Sequence, residues 1–346
     1  MANEIGHPIG PMGWVVPDTK TEAEMLDQEK RFFAEAANAV PEFYQHRQMK
    51  PIAPEILDRW NVFQESKGRF AGSNDFSLLD EFVFGKTLAF LPQDIGSCVW
   101  SNTFRRWIER MIVEIAFYGD PEEWTGLNEF GPQSIAPHCV SYGFAREIAN
   151  MRGGDGLYCG PMQKSLVQDG VVLCNTPKLK ELMDAAGAST ERDYPEVRST
   201  SLYRKIGDWA WNKTLRPYAG CKLLESPKVE TYEQFLQNED ELKPMFVCSM
   251  LAMKVAGQHP DGFTYHMRNT QDAWAHNMGI GGRRVTSKGD VFHRVDNTSW
   301  LPPSQPNRDA YVYWHSAKEV KGWFDQGLVD VGTIGEIDGV QSIFQI

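Results

Sequence analysis

The order of its elements predicts an α+β fold for this 346-residue chain. Three observations support that prediction. An apolar stripe at helical spacing follows Cys98, with Phe104, Trp107, Ile108, Met111, Ile112 and Ile115 on one face. Further helix signals precede residue 190. Short apolar or alternating runs, which read as strands, gather after residue 243. The chain is too long for one small core, so one large or two packed domains are expected.

Residues 1–85 read as an N-terminal extension or arm. Gly, Pro and polar residues dominate as far as Thr19, so the start is expected to lie extended on a surface. Thr21 to Ala37 reads as a helix, with Thr21 as N-cap and Glu22 and Glu24 in its first turn. Pro54 opens a helix through Phe63, and Gly68 to Asn74 is a loop. The arm is expected to dock on the main domain or on another subunit. An inhibitory prosegment ranks lower, because no secretory signal accompanies it.

The central stretch is Gln93-Asp94-Ile95-Gly96-Ser97-Cys98-Val99-Trp100. Gly96-Ser97 turns the chain, Cys98 stands where the helix begins, and Gly119 stops it. A cysteine there meets unpaired N–H groups and the positive end of the helix dipole, which favour the thiolate. The blander alternative is a small buried cysteine that only packs.

Downstream, Tyr142 to Met151 reads as a short helix. Arg152-Gly153-Gly154-Asp155-Gly156-Leu157-Tyr158 is a turn, or a backbone that approaches something closely. Pro161 to Val167 and Pro177 to Ala186 read as helices, and residues 187–230 are loop-rich. Pro244 to Met250 reads as a buried strand and Tyr265 to Met267 as another. His276 begins an alternating stretch that pairs with Phe292 to Asp296, and Asn297-Thr298-Ser299-Trp300 closes that strand. Singly, these residues are a structural histidine and a turn. With Cys98 they also read as thiolate, imidazole and an orienting amide.

Composition limits the partners. The apolar share of 42% and charged share of 23% are those of an ordinary globular protein. A net charge of −11 argues against a nucleic-acid or anionic-membrane surface. No run of about eighteen apolar residues is present, so no spanning helix is expected. Six cysteines without C-x-x-C pairs disfavour a zinc site and a dense disulfide framework, and no cofactor is expected. Free thiols and the cytoplasm of the producing cell follow as expectations.

The chain resembles the papain-like cysteine peptidases, in which His and Asn follow the cysteine by roughly 130–150 residues. Gly96-Ser97-Cys98-Val99-Trp100 looks like the nucleophile motif, and Ala275-His276-Asn277-Met278-Gly279-Ile280-Gly281 like the histidine strand. Asn297-Thr298-Ser299-Trp300 looks like the family's Asn-Ser-Trp. Gly153-Gly154 resembles the cleft wall, and Pro244 to Met250 the strand before the histidine. The resemblance covers about residues 90 to 315. There are departures: Gln93 lies five residues before Cys98 rather than six, Leu301 replaces a glycine, and Ile95 replaces a cysteine of the family's usual disulfide.

The resemblance implies a helical half over about 86–186, an insertion over about 187–230 and a β half over about 231–346, with a cleft between the halves. The Cys98 helix would pack on an antiparallel sheet. It also implies roles. Cys98 is the nucleophile, His276 the base and Asn297 its orienting partner, while Gln93 holds the oxyanion. Gly153, Gly154, Tyr158 and Trp300 line or shield the cleft for a peptide or protein substrate. Sulfur and ring nitrogen should lie within ~4 Å, and the thiol should alkylate rapidly near pH 6. Two alternatives stand beside this: a peptidoglycan hydrolase of a phage, and a non-catalytic papain-like module that joins other virion subunits through residues 1–85.

Overall fold

The computed structural model describes residues 52, 54–85, 98–117, 163, 166–167, 181, 222–223, 226–296 and 312–338. The helix expected at Pro54 runs over Pro54–Ser66 (α1). It buries Trp60, whose Nε1 donates to Asn74 Oδ1 at 3.0 Å and whose ring meets Phe117 edge-on at 5.8 Å. The loop after α1 ends in a short strand, Asn74–Asp75 (β1). A 3-10 turn and the helix Leu79–Phe84 (α2) follow. Gly85 stops α2 at φ +68°, a left-handed conformation that glycine adopts without steric cost. Cys98–Ala116 forms the central helix α3.

The rest is mainly sheet. Its strands are Lys222–Leu223 (β2), Lys228–Val229 (β3), Met245–His259 (β4), Phe263–Val285 (β5), Val291–Asp296 (β6), Val312–Ser316 (β7), Val329–Thr333 (β8) and Ile337–Asp338 (β9). The main sheet has the order β3-β8-β4-β5-β6-β7, with β1 added to β5. Its pairings are antiparallel except β5 with β7. The α+β class expected from the sequence is therefore what the structure shows, with α3 packed on an antiparallel sheet.

Two strands are longer than the sequence indicated. The run from Pro244 continues to His259, and the separate strand expected at Tyr265 is one strand with the His276 stretch. Register shifts after Ser249, Leu251 and Val255 let β4 and β5 stay paired over this length. β5 also changes its second neighbour. Tyr265 and His266 pair with β7, while Gly279 to Val285 pair with β6.

Alternation gives the sheet two different faces. Met245, Val247 and Leu251 of β4 join Met278 and Ile280 of β5 in one core. Two helices cover it, Tyr232–Asp240 (α4) through Phe235 and Ala317–Asp325 (α5) through Val320 and Trp323. Neither helix was read from the sequence, yet both carry its signal. Thr231 and Gln234 form a capping box, and the Ser316 hydroxyl accepts from the Glu319 N–H. A buried polar chain also docks α4, with His293 Nδ1 3.0 Å from Glu239 Oε1 and His293 Nε2 2.7 Å from the Tyr232 hydroxyl.

Residues 54–85 are part of this body. Asn74 and Asp75 pair with Arg283 and Gly282 of β5. Asn74 Nδ2 donates to Glu239 O at 2.8 Å, and the Val285 N–H donates to Ser73 Oγ at 2.8 Å. The helix expected over 21–37 lies outside the described residues.

Gly282 fixes how closely β1 approaches. Its φ is +86°, and an added Cβ would sit 1.9 Å from Asn74 O. Gly282→Ala should therefore lower stability by about 2–3 kcal/mol, through backbone strain and lost β1 pairing. Urea denaturation measures this. A loss below about 0.5 kcal/mol, the range of neutral surface changes, would mean that β1 does not dock there.

Candidate active site

Cys98 opens α3 and is fully buried. Its sulfur accepts the backbone N–H of Asn277 at 3.4 Å. Asn277 follows His276 on β5, and His276 is also fully buried. Among the described residues, β6 pairs with β5 no further than Asp296 opposite Gly279. At residue 277 the first turn of α3 takes that place. The Asn277 N–H goes to Cys98, and the Asn277 carbonyl accepts from Asn102 Nδ2 at 2.7 Å.

The structure thus brings Cys98 to the residue beside His276. Gln93, Asn297, Trp300, Gly153, Gly154 and Tyr158 lie outside the described residues. Asp296, one residue before Asn297, is described at the end of β6.

The electrostatics of the thiol differ from expectation. Burial pushes Cys98 up to about 12, although the backbone N–H groups of Asn277 and Val99 pull the other way. A helix N-terminus supplies partial charges, and complete loss of water outweighs them. The resting group is a neutral thiol, not the thiolate that the helix position alone implied.

The cysteines also need correction. Cys98 is free, but Cys248 is disulfide-bonded. Scattered spacing says nothing about cysteines that the fold brings together, so the expectation of free thiols fails here. Cys248 stands opposite Asn277, whose Nδ2 approaches the Cys248 sulfur at 3.1 Å.

Burial on α3 extends beyond its apolar stripe: Arg105, Arg106, Glu109 and Arg110 are buried, along with Trp107 and Ile112. Arg105 bonds Asp80 at 2.8 Å and Glu109 at 3.2 Å. Arg106 bonds Glu109 at 3.0 Å, donates to Ile280 O at 2.7 Å and lies 3.7 Å from Asp296. Arg294 joins Asp296 at 3.3 Å. Burial would lower the Arg105 guanidinium, but Asp80 and Glu109 outweigh it and raise it. Burial also pushes Glu109 up to about 7, against the pull of Arg106 and Arg105.

Gly279 makes room for this network, since an added Cβ would lie 2.8 Å from the Arg106 guanidinium carbon. The sequence carried one sign of the arrangement, the i,i+4 pairs Arg105–Glu109 and Arg110–Glu114. It carried none of Asp80, which lies 25 residues from Arg105.

No protein-family model and no curated protein matches the chain. Among solved structures it is similar to xylellain, a cysteine protease from Xylella fastidiosa, at 13% identity and a TM-score of 0.42, over 72% of this chain and 84% of that one. It is also similar to procathepsin B S9 from Trypanosoma congolense, at 9% identity and a TM-score of 0.37, over 92% of this chain and 99% of that one. A third is digestive procathepsin L 3 of Tenebrio molitor, at 10% identity and a TM-score of 0.35, over 91% and 94%.

Proposed function

We propose that the chain is a papain-like cysteine peptidase or amide hydrolase acting on peptide or protein substrates. One observation carries this: a free cysteine opens a buried helix with its sulfur against the strand residue beside a buried histidine. In this reading Cys98 attacks the amide carbonyl as His276 takes the thiol proton. Because burial keeps the resting thiol neutral, that transfer accompanies the attack instead of preceding it. The Cys98 backbone N–H and Gln93 hold the oxyanion, and Asn297 orients the imidazole. His276 returns the proton to the leaving amine, and water then releases the acyl group. Gly153, Gly154, Tyr158 and Trp300 form the cleft.

Turnover of a fluorogenic peptide library tests the proposal. Cys98→Ala and His276→Ala should each reduce the rate by about a thousandfold or more while the fold is retained. Turnover that survives Cys98→Ala would end this reading.

A buried, neutral Cys98 is also compatible with a second reading, a non-catalytic papain-like module, for which a place among virion subunits is the proposal carried from the sequence. It requires no turnover by any preparation, and a multi-copy assembly that depends on residues 1–85.

A further inference from the structure

We propose that Asn102 is a positioning residue that holds Cys98 against the His276 strand, an inference that rests on the hydrolase reading of this site. Asn102 lies one helical turn beyond Cys98, on the same face of α3. It is 4% exposed. Its amide nitrogen donates to Cys98 O at 3.1 Å and to Asn277 O at 2.7 Å. A side-chain NH2 has two hydrogens, and here each serves a different element.

The strand reciprocates. The Asn277 N–H donates to Cys98 Sγ at 3.4 Å, so both backbone groups of Asn277 are engaged by the first turn of α3. Sulfur, strand residue and amide form a closed set of contacts. Asparagine has no merit as an interior helix former, because its side chain competes for backbone groups. Its gain at this position is the clip to the strand.

A second clip lies one turn further along the same face, where Arg106 Nη1 donates to Ile280 O at 2.7 Å. Arg106 can keep α3 on the sheet when Asn102 is absent. The first turn alone would then be released, and with it the sulfur from the Asn277 N–H.

The test reads the pH profile of Cys98 alkylation by iodoacetamide, site-resolved by mass spectrometry, together with kcat and KM for peptide hydrolysis. In Asn102→Ala, release of the first turn should return water to Cys98, and this should outweigh loss of the Asn277 N–H, so alkylation at pH 8 should rise at least tenfold and its midpoint should move toward that of a free thiol. In Asn102→Ser, whose hydroxyl retains one donor, both should move less. Hydrolysis should lose at least tenfold in kcat with KM unchanged.

Gly282→Ala, destabilised where β1 docks on β5 and not at the contact with Cys98, should keep the native alkylation profile, which separates positioning from general loosening. An unchanged profile in Asn102→Ala overturns the proposal, as does a shifted profile with kcat intact. Should Asn102→Ala fail to fold, Asn102→Ser is judged by the same two criteria. Absence of turnover in the unsubstituted protein refutes the hydrolase reading instead, and the alkylation profile still decides whether Asn102 places Cys98.

Discussion

Asp80→Ala should reduce unfolding free energy by about 3–5 kcal/mol, the range for removing one member of a buried ion pair. Asp80 and Arg105 are both buried, with Asp80 Oδ2 2.8 Å from Arg105 Nη2. Among the described residues, the network joins the carboxylates of Asp80, Glu109 and Asp296 to the guanidinium groups of Arg105, Arg106 and Arg294. Removing Asp80 takes from the buried Arg105 guanidinium the carboxylate that lies 2.8 Å from it. Asp80→Asn keeps the shape and loses the same charge, so it should cost nearly as much. If Asp80→Asn is benign while Asp80→Ala is not, packing is the cause and charge pairing is not.

A pH signature accompanies the loss. Burial raises Glu109 to about 7, and Asp80 adds to that rise by repulsion. A carboxyl raised on folding contributes stability that is full below its ordinary value and fades as pH climbs through about 7. Without Asp80, the repulsion disappears while Arg106 and Arg105 still attract Glu109. Glu109 should then titrate lower, and stability should fall less between pH 6 and 8. Urea midpoints across that range check both statements. A loss below about 1 kcal/mol with an unaltered pH slope would rule Asp80 out as the buried partner.

The same network shows where sequence reasoning stops. The Cys98 helix, the Pro54 helix and the strand of His276 were legible, because apolar spacing and proline act locally. The two helices over the core, α4 and α5, were signalled only by short capping patterns at Thr231 and Ser316, which were missed. The burial of Arg105, Arg106 and Glu109 was not legible. A charged residue on a helix looks solvated until its partner is known, and Asp80 and Asp296 are distant in sequence. Asn102 was hidden for the same reason, since its bond to Asn277 spans 175 residues. At Cys98 the local signal was correct in kind, as N–H groups do reach the sulfur. It was incomplete in magnitude, because burial depends on the whole fold.

Native Cys98 should accordingly react with iodoacetamide about a hundredfold more slowly than a free thiol at pH 7. The thiol is pushed up to about 12, against about 8.5 for an unperturbed cysteine. That difference lowers the thiolate fraction by about 3.5 powers of ten. A more basic thiolate is a better nucleophile, and a Brønsted slope of about 0.4–0.5 returns about 1.5 of them. About two powers of ten remain, before any steric hindrance from the buried site. The sign follows from the raised value: acid keeps the group as thiol, so the rate should climb about tenfold per pH unit from 7 to 9 without a plateau. The urea-unfolded chain supplies the reference rate at Cys98. His276→Ala should leave the slow native rate at pH 6 nearly unaltered, because the resting thiol carries no charge for an imidazolium to stabilise. A native rate at pH 6 equal to the unfolded chain's, lost in His276→Ala, would establish a resting thiolate–imidazolium pair and show that the charge pairing outweighs burial at this cysteine.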